Sequence, residues 1–328
     1  MTHVSLVATV LNEGESIRRL MDSLVAQTRL PDEIIMCDGG STDNTAAVIE
    51  EYTGQLPLRL IVRPGANISE GRNAAIAETS YEVIAVTDAG VRLDPGWLAA
   101  MLRPFEANPD CMGVAGFFLP DAQTPFEVAM GATVLPTIED IRPDRFMPSS
   151  RSAAFRRAAL AHIGGYPEWL DFCEDLILDF RLATTYGPFD FAPEAIAHFR
   201  PRSSLRSFIK QYFQYARGDG KADLFFRRHL IRYLTYLVAL PAIVVAGIIS
   251  SPWWLLALPA GGAYLVGNPY RRLVHQWSNL RFGQKIGAVL WVPVIRVVGD
   301  FAKMAGYPVG LIWRWRNRPP DWRTVSSS

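Results

Sequence analysis

The chain has 328 residues, 49% of them hydrophobic and only 20% charged, with a formal net charge of +1. That length allows one large domain or a domain with an appendage, and so apolar a composition points to lipid as part of its surroundings. Three cysteines, Cys37, Cys111 and Cys173, fit neither a disulfide framework nor a zinc pattern, so a reducing compartment is expected.

The small net charge hides an asymmetry. Residues 1–199 hold 14 Lys and Arg against 28 Asp and Glu, whereas residues 200–328 hold 19 against 4. An acidic front half joined to a basic, apolar back half suggests a catalytic domain seated on an anionic membrane surface. The basic residues flank long apolar runs and do not interleave with stacking residues, which argues against nucleic acid as the partner.

The chain reads straight into a strand, with no cleavable signal peptide expected before it. Over about the first 130 residues, short apolar runs alternate with amphipathic segments, the pattern of βαβ units and a largely parallel sheet. "VSLVATVL" (4–11) is a buried strand, followed by a helix over residues 12–26 with Ile17, Leu20, Leu24 and Val25 on one face. Strands follow at "EIIMCD" (33–38), "LRLIVR" (58–63), "EVIAVTD" (82–88) and "GVAGFFL" (113–119), with helices after Asp43-Asn44 and over residues 69–78. Functional residues of open sheets gather at the carboxyl edge of the strands, and Asn12-Glu13, Asp38-Gly39-Gly40 and Asp88-Ala89-Gly90 all fall there.

After Arg232 the composition changes. Residues 233–270 contain no Asp, Glu, Lys, Arg or His. As one helix these 38 residues would be about 57 Å long, against a hydrocarbon core of ~30 Å. Ser250-Ser251-Pro252 divides the run, so a helical hairpin or a re-entrant pair is expected, with both ends cytoplasmic because arginines flank it. A further apolar segment, residues 286–313, carries Arg296, Asp300 and Lys303 in one polar stripe, as an interfacial amphipathic helix or another membrane-dipping element would.

"CDGGSTDNT" (37–45) reads as a strand-end aspartate with two glycines that let a flat ring approach the backbone, Asp38 accepting from ring N–H groups. With "ATVLNE", "ISEGRNAAI" and "VTDAG", and then "IGGYPEWLDFCEDLILDFRL" and "IKQYFQYARGDG", it resembles the nucleotide-sugar domain of family 2 glycosyltransferases of the GT-A fold. The similarity runs from about residue 4 to 225 with six motifs in the family's order.

The resemblance implies an α/β protein with a GT-A-type doubly wound sheet, mixed but mainly parallel. Interfacial helices and a C-terminal membrane-embedded helical region would follow. The catalytic domain would occupy residues 1–200, the interfacial helices 201–230 and the membrane region 231–328. It implies an inverting enzyme at the cytoplasmic face of the inner membrane, moving sugar from a nucleoside diphosphate donor to a lipid-linked or growing saccharide acceptor. A UDP-sugar is the favoured donor, membrane lipids are partners, and a homo-oligomer is compatible with the sequence. Thr9, Asn12, Glu13, Asp38 and Gly39 would line the base and ribose pocket, and Arg72 would reach the nucleoside or its phosphates. Asp88 matches the first Asp of the family's Asp-x-Asp element, which helps hold Mg²⁺ or Mn²⁺. Gly90 replaces the second, leaving His198 as the other candidate ligand.

Asp175 matches the family's catalytic base, with Glu174 beside it in a positioning or capping role. Gly165 and Tyr166, in "GGYPE", resemble the acceptor-side loop. "QYFQY" (211–215) resembles the family's Gln-x-x-Arg-Trp element, with Gln211 kept, Gln214 and Tyr215 replacing Arg and Trp, and Arg217 able to restore the cation. Arg200, Arg202 and Arg206 can neutralise diphosphate or lipid phosphate. Transfer onto a polyprenyl phosphate and a catalytically inactive membrane scaffold are the alternatives. A dinucleotide-binding dehydrogenase is disfavoured because no G-x-G-x-x-G follows the first strand.

Overall fold

The structure, a computed structural model, describes residues 2–323. Two compact units divide it, residues 2–121 with 138–199 and 320–323 belonging to the first, and 122–137 with 200–319 to the second.

The first unit is built on one eight-stranded sheet. Its strands are β1 (Val4–Val10), β2 (Glu33–Asp38), β3 (Leu58–Val62), β4 (Val83–Val86), β5 (Val91–Leu93), β6 (Gly113–Pro120), β7 (Ala153–Arg156) and β8 (Asp190–Phe199). They lie in the order β3-β2-β1-β4-β7-β6-β8-β5. β3, β2, β1 and β4 run parallel, as do β6 and β8, whereas β7 is antiparallel to both neighbours and β5 to β8. The unbroken apolar runs of β1 and β4 reflect burial on both faces, as parallel strands require. Val4, Leu6, Ala8 and Val10 of β1 pack on one side with Leu20 and Leu24 of α1 (Arg18–Val25) and Val48 and Ile49 of α2 (Thr45–Glu50). Val7, with Ile35 and Cys37 of β2, faces the other side, against Ala75 of α3 (Ile68–Ala77). This alternation is the period of two along each strand.

Three of these strands escape a reading of apolar runs. β5 has three residues, β7 is an alanine-rich stretch of four, and β8 contains Pro193 and meets β6 across a register shift at Gly116/Phe117. Three more helices complete this unit's part of the chain or flank it: α4 (Trp97–Ala107), α6 (Arg157–His162) and α7 (Glu174–Tyr186), with α5 (Pro125–Val134) belonging to the second unit.

The second unit otherwise consists of α8 (Leu205–Ala222), α9 (Phe226–Tyr233), a π-helical turn over Leu234–Ala239, α10 (Leu240–Ile249), α11 (Ala257–His275) and α12 (Phe282–Asn317). Through the π turn, α9 and α10 form one continuous helix, Phe226–Ile249, long and apolar enough to cross a membrane; only 6% of its apolar window is buried inside the protein. By the same measure α11 is not a second such helix among the described residues. The expected hairpin is thus one long apolar helix and a shorter, Gly- and Pro-containing partner, broken at Ser250-Ser251 as the sequence indicates.

α8 and α12 cross with their backbones in contact. A Cβ on Gly310 would collide with the Arg217 carbonyl oxygen, one on Gly306 with that of Phe213, and one on Gly220 with that of Tyr307. Only small residues permit such an approach. The polar stripe of α12 is not an outward face. Asp300 is buried, accepts from Arg232 Nε at 2.7 Å and from the Tyr236 hydroxyl at 3.1 Å, and Lys303 lies over the Tyr212 ring. The stripe pairs inward because a carboxylate in so apolar a unit needs a cation and a donor.

Candidate active site

The carboxyl ends of β2, β1 and β4 lie side by side, and their loops are locked to one another. Asn12, after β1, takes a left-handed conformation (φ 53°), and its Oδ1 accepts from the Thr42 backbone N–H at 2.8 Å. Its own N–H donates to Ser41 Oγ at 2.9 Å. Glu13 is held through its N–H to Thr45 Oγ1. Asp38 is buried and its Oδ1 accepts from the N–H groups of Gly40 (3.0 Å) and Ser41 (2.8 Å) and from Ser41 Oγ. These bonds fix one oxygen of Asp38, a turn geometry that a short acidic side chain supports. Gly39 donates to Val10 at 3.0 Å, and Thr9 abuts α3 at Gly71, where a Cβ would press against the Thr9 methyl.

Arg72, from α3, is the centre of the site. It is 1% exposed, yet its guanidinium donates to Asp88 Oδ1 at 2.7 Å and to Glu174 Oε1 at 2.6 Å, and stacks over Tyr166, whose ring centroid is 5.1 Å away. One buried cation thus bridges the end of β4 and the start of α7. Expected to reach the donor, Arg72 has its charge committed to two carboxylates. Tyr166, assigned above to the acceptor side, is likewise 1% exposed, its hydroxyl bonded to Ser150 and its main chain clasped on both sides by Asn73. Gly165 sits beside it at φ 66°, where a Cβ would strike Asn73 Oδ1. Tyr166 braces Arg72.

α7 begins abruptly at Glu174 after Cys173, which is left-handed (φ 66°), so that Glu174 and Asp175 occupy its first turn, where the helix dipole favours negative charge. Burial nevertheless dominates. Desolvation and the neighbouring Asp175 carboxyl push Glu174 up to about 7 despite its bond to Arg72. Burial also raises Asp175, against the pull of Arg72 and Arg151. One turn further along, Asp179 is buried, its Oδ2 has no hydrogen-bond partner, and desolvation with the two acids above it raises it well above the ordinary carboxylate range. Carboxyl groups here share too few cations for all to be ionised together, the condition in which a base operates near neutrality.

Two residues of the site carry no motif. Arg151 is near the other oxygen of Asp88, Nε to Oδ2 3.8 Å. Asp179 lies four residues after Asp175, a spacing that puts both on one helix face and makes it legible in the sequence. Nothing comparable marks Arg151, between two serines.

For a metal, the residues present fit poorly. Asp88 has both oxygens turned to guanidinium groups, His198 Nε2 bonds Asp94 Oδ1 at 2.8 Å, and Ala89 is buried. Among the described residues no group of three His, Cys, Asp or Glu side chains is placed to hold an ion. At Gly90 a Cβ would meet nothing within 4 Å, so packing does not require glycine there.

The remaining candidates lie in the second unit. Arg200 donates from Nε to the fully buried Glu127 at 2.9 Å. Arg202 is exposed. On α8, Gln211 donates to the Tyr215 hydroxyl at 2.9 Å, Tyr215 meets the Tyr212 ring edge-on, and Gln214 and Arg217 lie half-buried on the same helix.

The mixed sheet, with a carboxylate at a strand end and an acid pair at a helix start, has the GT-A-like fold. Residues 5–164 match the model of Glycosyl transferase family 2. It is 23% identical over 323 residues to the O-antigen chain rhamnosyltransferase RfbN of Salmonella typhimurium, covering 95% of this chain and 90% of that one. It is 32% identical over 103 residues to the chondroitin synthase of Pasteurella multocida, a match over 31% of this chain; like its match to the hyaluronan synthase of that organism, it spans only 11% of the relative's length. The mannosyltransferase PcManGT from Pyrobaculum calidifontis, solved in complex with GDP-Man and Mn²⁺, shares the fold, with a TM-score of 0.56 at 16% identity over 95% of this chain and 86% of that one.

Proposed function

We propose that the chain is an inverting glycosyltransferase that moves a sugar from a nucleoside diphosphate to a hydroxyl of a lipid-linked or growing saccharide acceptor at the cytoplasmic face of a membrane. The observation that carries this reading is the Arg72 bridge, which ties the donor-side Asp88 to the helix turn bearing Glu174 and Asp175. Asp175 takes the proton from the acceptor hydroxyl as its oxygen attacks the anomeric carbon. The bond from that carbon to the leaving phosphate oxygen breaks on the opposite face, and the nucleoside diphosphate departs with the electron pair. Glu174, hydrogen-bonded to Arg72, holds the helix start in register and leaves Asp175 to act. Asp38 and the Asn12–Ser41–Thr42 clasp shape the nucleoside side. The half-sites of α8, Gln211, Gln214, Tyr215 and Arg217, belong to the proposal as acceptor contacts, and UDP-sugars head the list of donors. Lipid covers the Phe226–Ile249 helix, on which Leu237, Ile248 and Ile249 are exposed.

Purified protein in detergent, screened against UDP-, GDP- and dTDP-sugars for nucleotide release and product anomericity, tests this directly. Asp175→Asn is expected to lower turnover by roughly 10²–10⁴-fold while nucleotide binding is kept, in line with the loss of a general base. Near wild-type turnover in that variant, or a product that retains the donor's configuration, would sink the assignment.

A further inference from the structure

We propose that Arg296 and Lys303 of α12 bind the phosphate of an anionic lipid, in a site that Arg232 and Asp300 hold in shape. This rests on the membrane reading above.

Three cations of the second unit gather around one buried carboxylate. Asp300 accepts from Arg232 Nε on Oδ1 at 2.7 Å and from the Tyr236 hydroxyl on Oδ2 at 3.1 Å, so both its oxygens are engaged. Arg296, one turn earlier on α12, brings Nε to 3.9 Å from Asp300 Oδ2, too long for a hydrogen bond. That Nε is buried with no hydrogen-bond partner, while the side chain as a whole is 34% exposed. Lys303, on the other side of Asp300 in sequence, is half-buried, with Nζ 4.9 Å from the Tyr212 ring centroid. It lies in the field of Arg232, Arg296, Asp300 and Asp219, and Asp219 is itself bonded to His229 Nε2 at 3.0 Å. Among the described residues, then, Arg296 and Lys303 have no hydrogen-bonded anion. Unmatched charge in so apolar a unit is costly, and a bound anion relieves it.

The residue types indicate which anion. A partly exposed guanidinium and an ammonium seven residues apart share one helix face, and together they suit the several oxygens of a phosphate ester. The surroundings indicate a lipid one. Tyr233 donates to the Met304 carbonyl and the Tyr236 ring packs on Phe301, so α9 and α12 run antiparallel at this point. The cluster therefore lies where the Phe226–Ile249 helix begins its uncharged run. Val297 and Phe301, on α12 between the two cations, are exposed. A ligand here meets positive charge and an apolar wall together, which fits a phosphate carrying hydrocarbon chains and not the free ion.

The test uses the full chain in neutral detergent micelles. Fluorescent phosphatidylglycerol and a polyprenyl phosphate are the probes, phosphatidylcholine is the zwitterionic reference, and inorganic phosphate is a competitor. Arg296→Gln and Lys303→Met remove the charges and keep the apolar stems. Each is expected to weaken binding of an anionic lipid by about tenfold, the scale of a charged hydrogen bond, and to leave phosphatidylcholine unaffected. Arg296→Lys, which keeps the charge, should lose less, as should Arg227→Ala, which removes an exposed cation outside the site. A loss confined to the polyprenyl phosphate supports the site and identifies its lipid as the acceptor; a loss confined to phosphatidylglycerol supports it as a bulk-lipid site. Displacement by inorganic phosphate at the lipid's own concentration overturns a lipid source. A lower melting temperature without lipid, joined to unchanged lipid affinity, assigns the two residues to structure and overturns the inference. Equal losses in Arg227→Ala and the two charge-removing variants also overturn it and leave the membrane reading standing. If wild type binds neither these lipids nor vesicles made from them, the membrane reading falls and the inference with it.

Discussion

Arg72 shows how far a single residue can differ from its motif. In "EGRNA" it reads as a contact to the nucleoside or its phosphates, and sequence spacing cannot reveal its bonds to residues 16 and 102 positions away. Removing it by Arg72→Leu leaves the buried Glu174 without its cation and Asp88 with only the longer contact to Arg151. A loss of about 3–5 kcal/mol in unfolding free energy is expected, measured by denaturant titration, and Arg72→Lys should not recover it because an ammonium cannot span two carboxylates. Asp179 makes a prediction of opposite sign. Its folded carboxyl is raised well above the ordinary value of 3.8, so the folded state holds a proton that the unfolded chain releases. Its contribution therefore weakens stability as pH rises above that ordinary value. Asp179→Asn should flatten the fall of the melting temperature as pH rises above that ordinary value. An unchanged slope would show that Asp179 is already ionised at neutrality. The strand-end placement of Asp38 and Asp88 and the helix-start placement of Glu174 and Asp175 were legible; the burial of Asp179 was not. The arginines that bind them together were not.

At the scale of elements, the strands buried on both faces announced themselves as apolar runs, whereas β7 and β8 did not. Alanine and a proline-bearing stretch carry no strand signal until β6 lies beside them. The α12 stripe was legible as a spacing but not as a direction, because Arg232, which turns Asp300 inward, lies 68 residues earlier. The α8–α12 crossing was invisible too, since glycines at 220, 306 and 310 look like helix breakers until two backbones meet at them. Gly310→Val must push the Arg217 carbonyl away. It should destabilise by about 1–3 kcal/mol or more, read as a lower midpoint of protease resistance in detergent, while Ala at an open position such as Gly262 has no such effect.

For the whole molecule, the change in charge near residue 200 coincides with a boundary between compact units at Phe199/Arg200. The chain segment 122–137 joins the second unit nonetheless, which composition alone could not show. An acidic first unit and a basic, apolar second one lead to a prediction about surfaces. The full chain should partition onto vesicles containing phosphatidylglycerol more strongly than onto phosphatidylcholine alone. Each basic residue near the surface is worth roughly 1 kcal/mol, and the preference should shrink as salt is raised. Equal partitioning at all ionic strengths would count against an anionic lipid surface.

The vacant space beside Gly90 gives the site a handle. Because no neighbour within 4 Å would resist a side chain there, nothing in the packing ratchets this position. One codon change to aspartate would place a second carboxylate two residues after Asp88 without a clash at its Cβ, so an engineer can add or remove that charge in a single step and read its effect apart from packing.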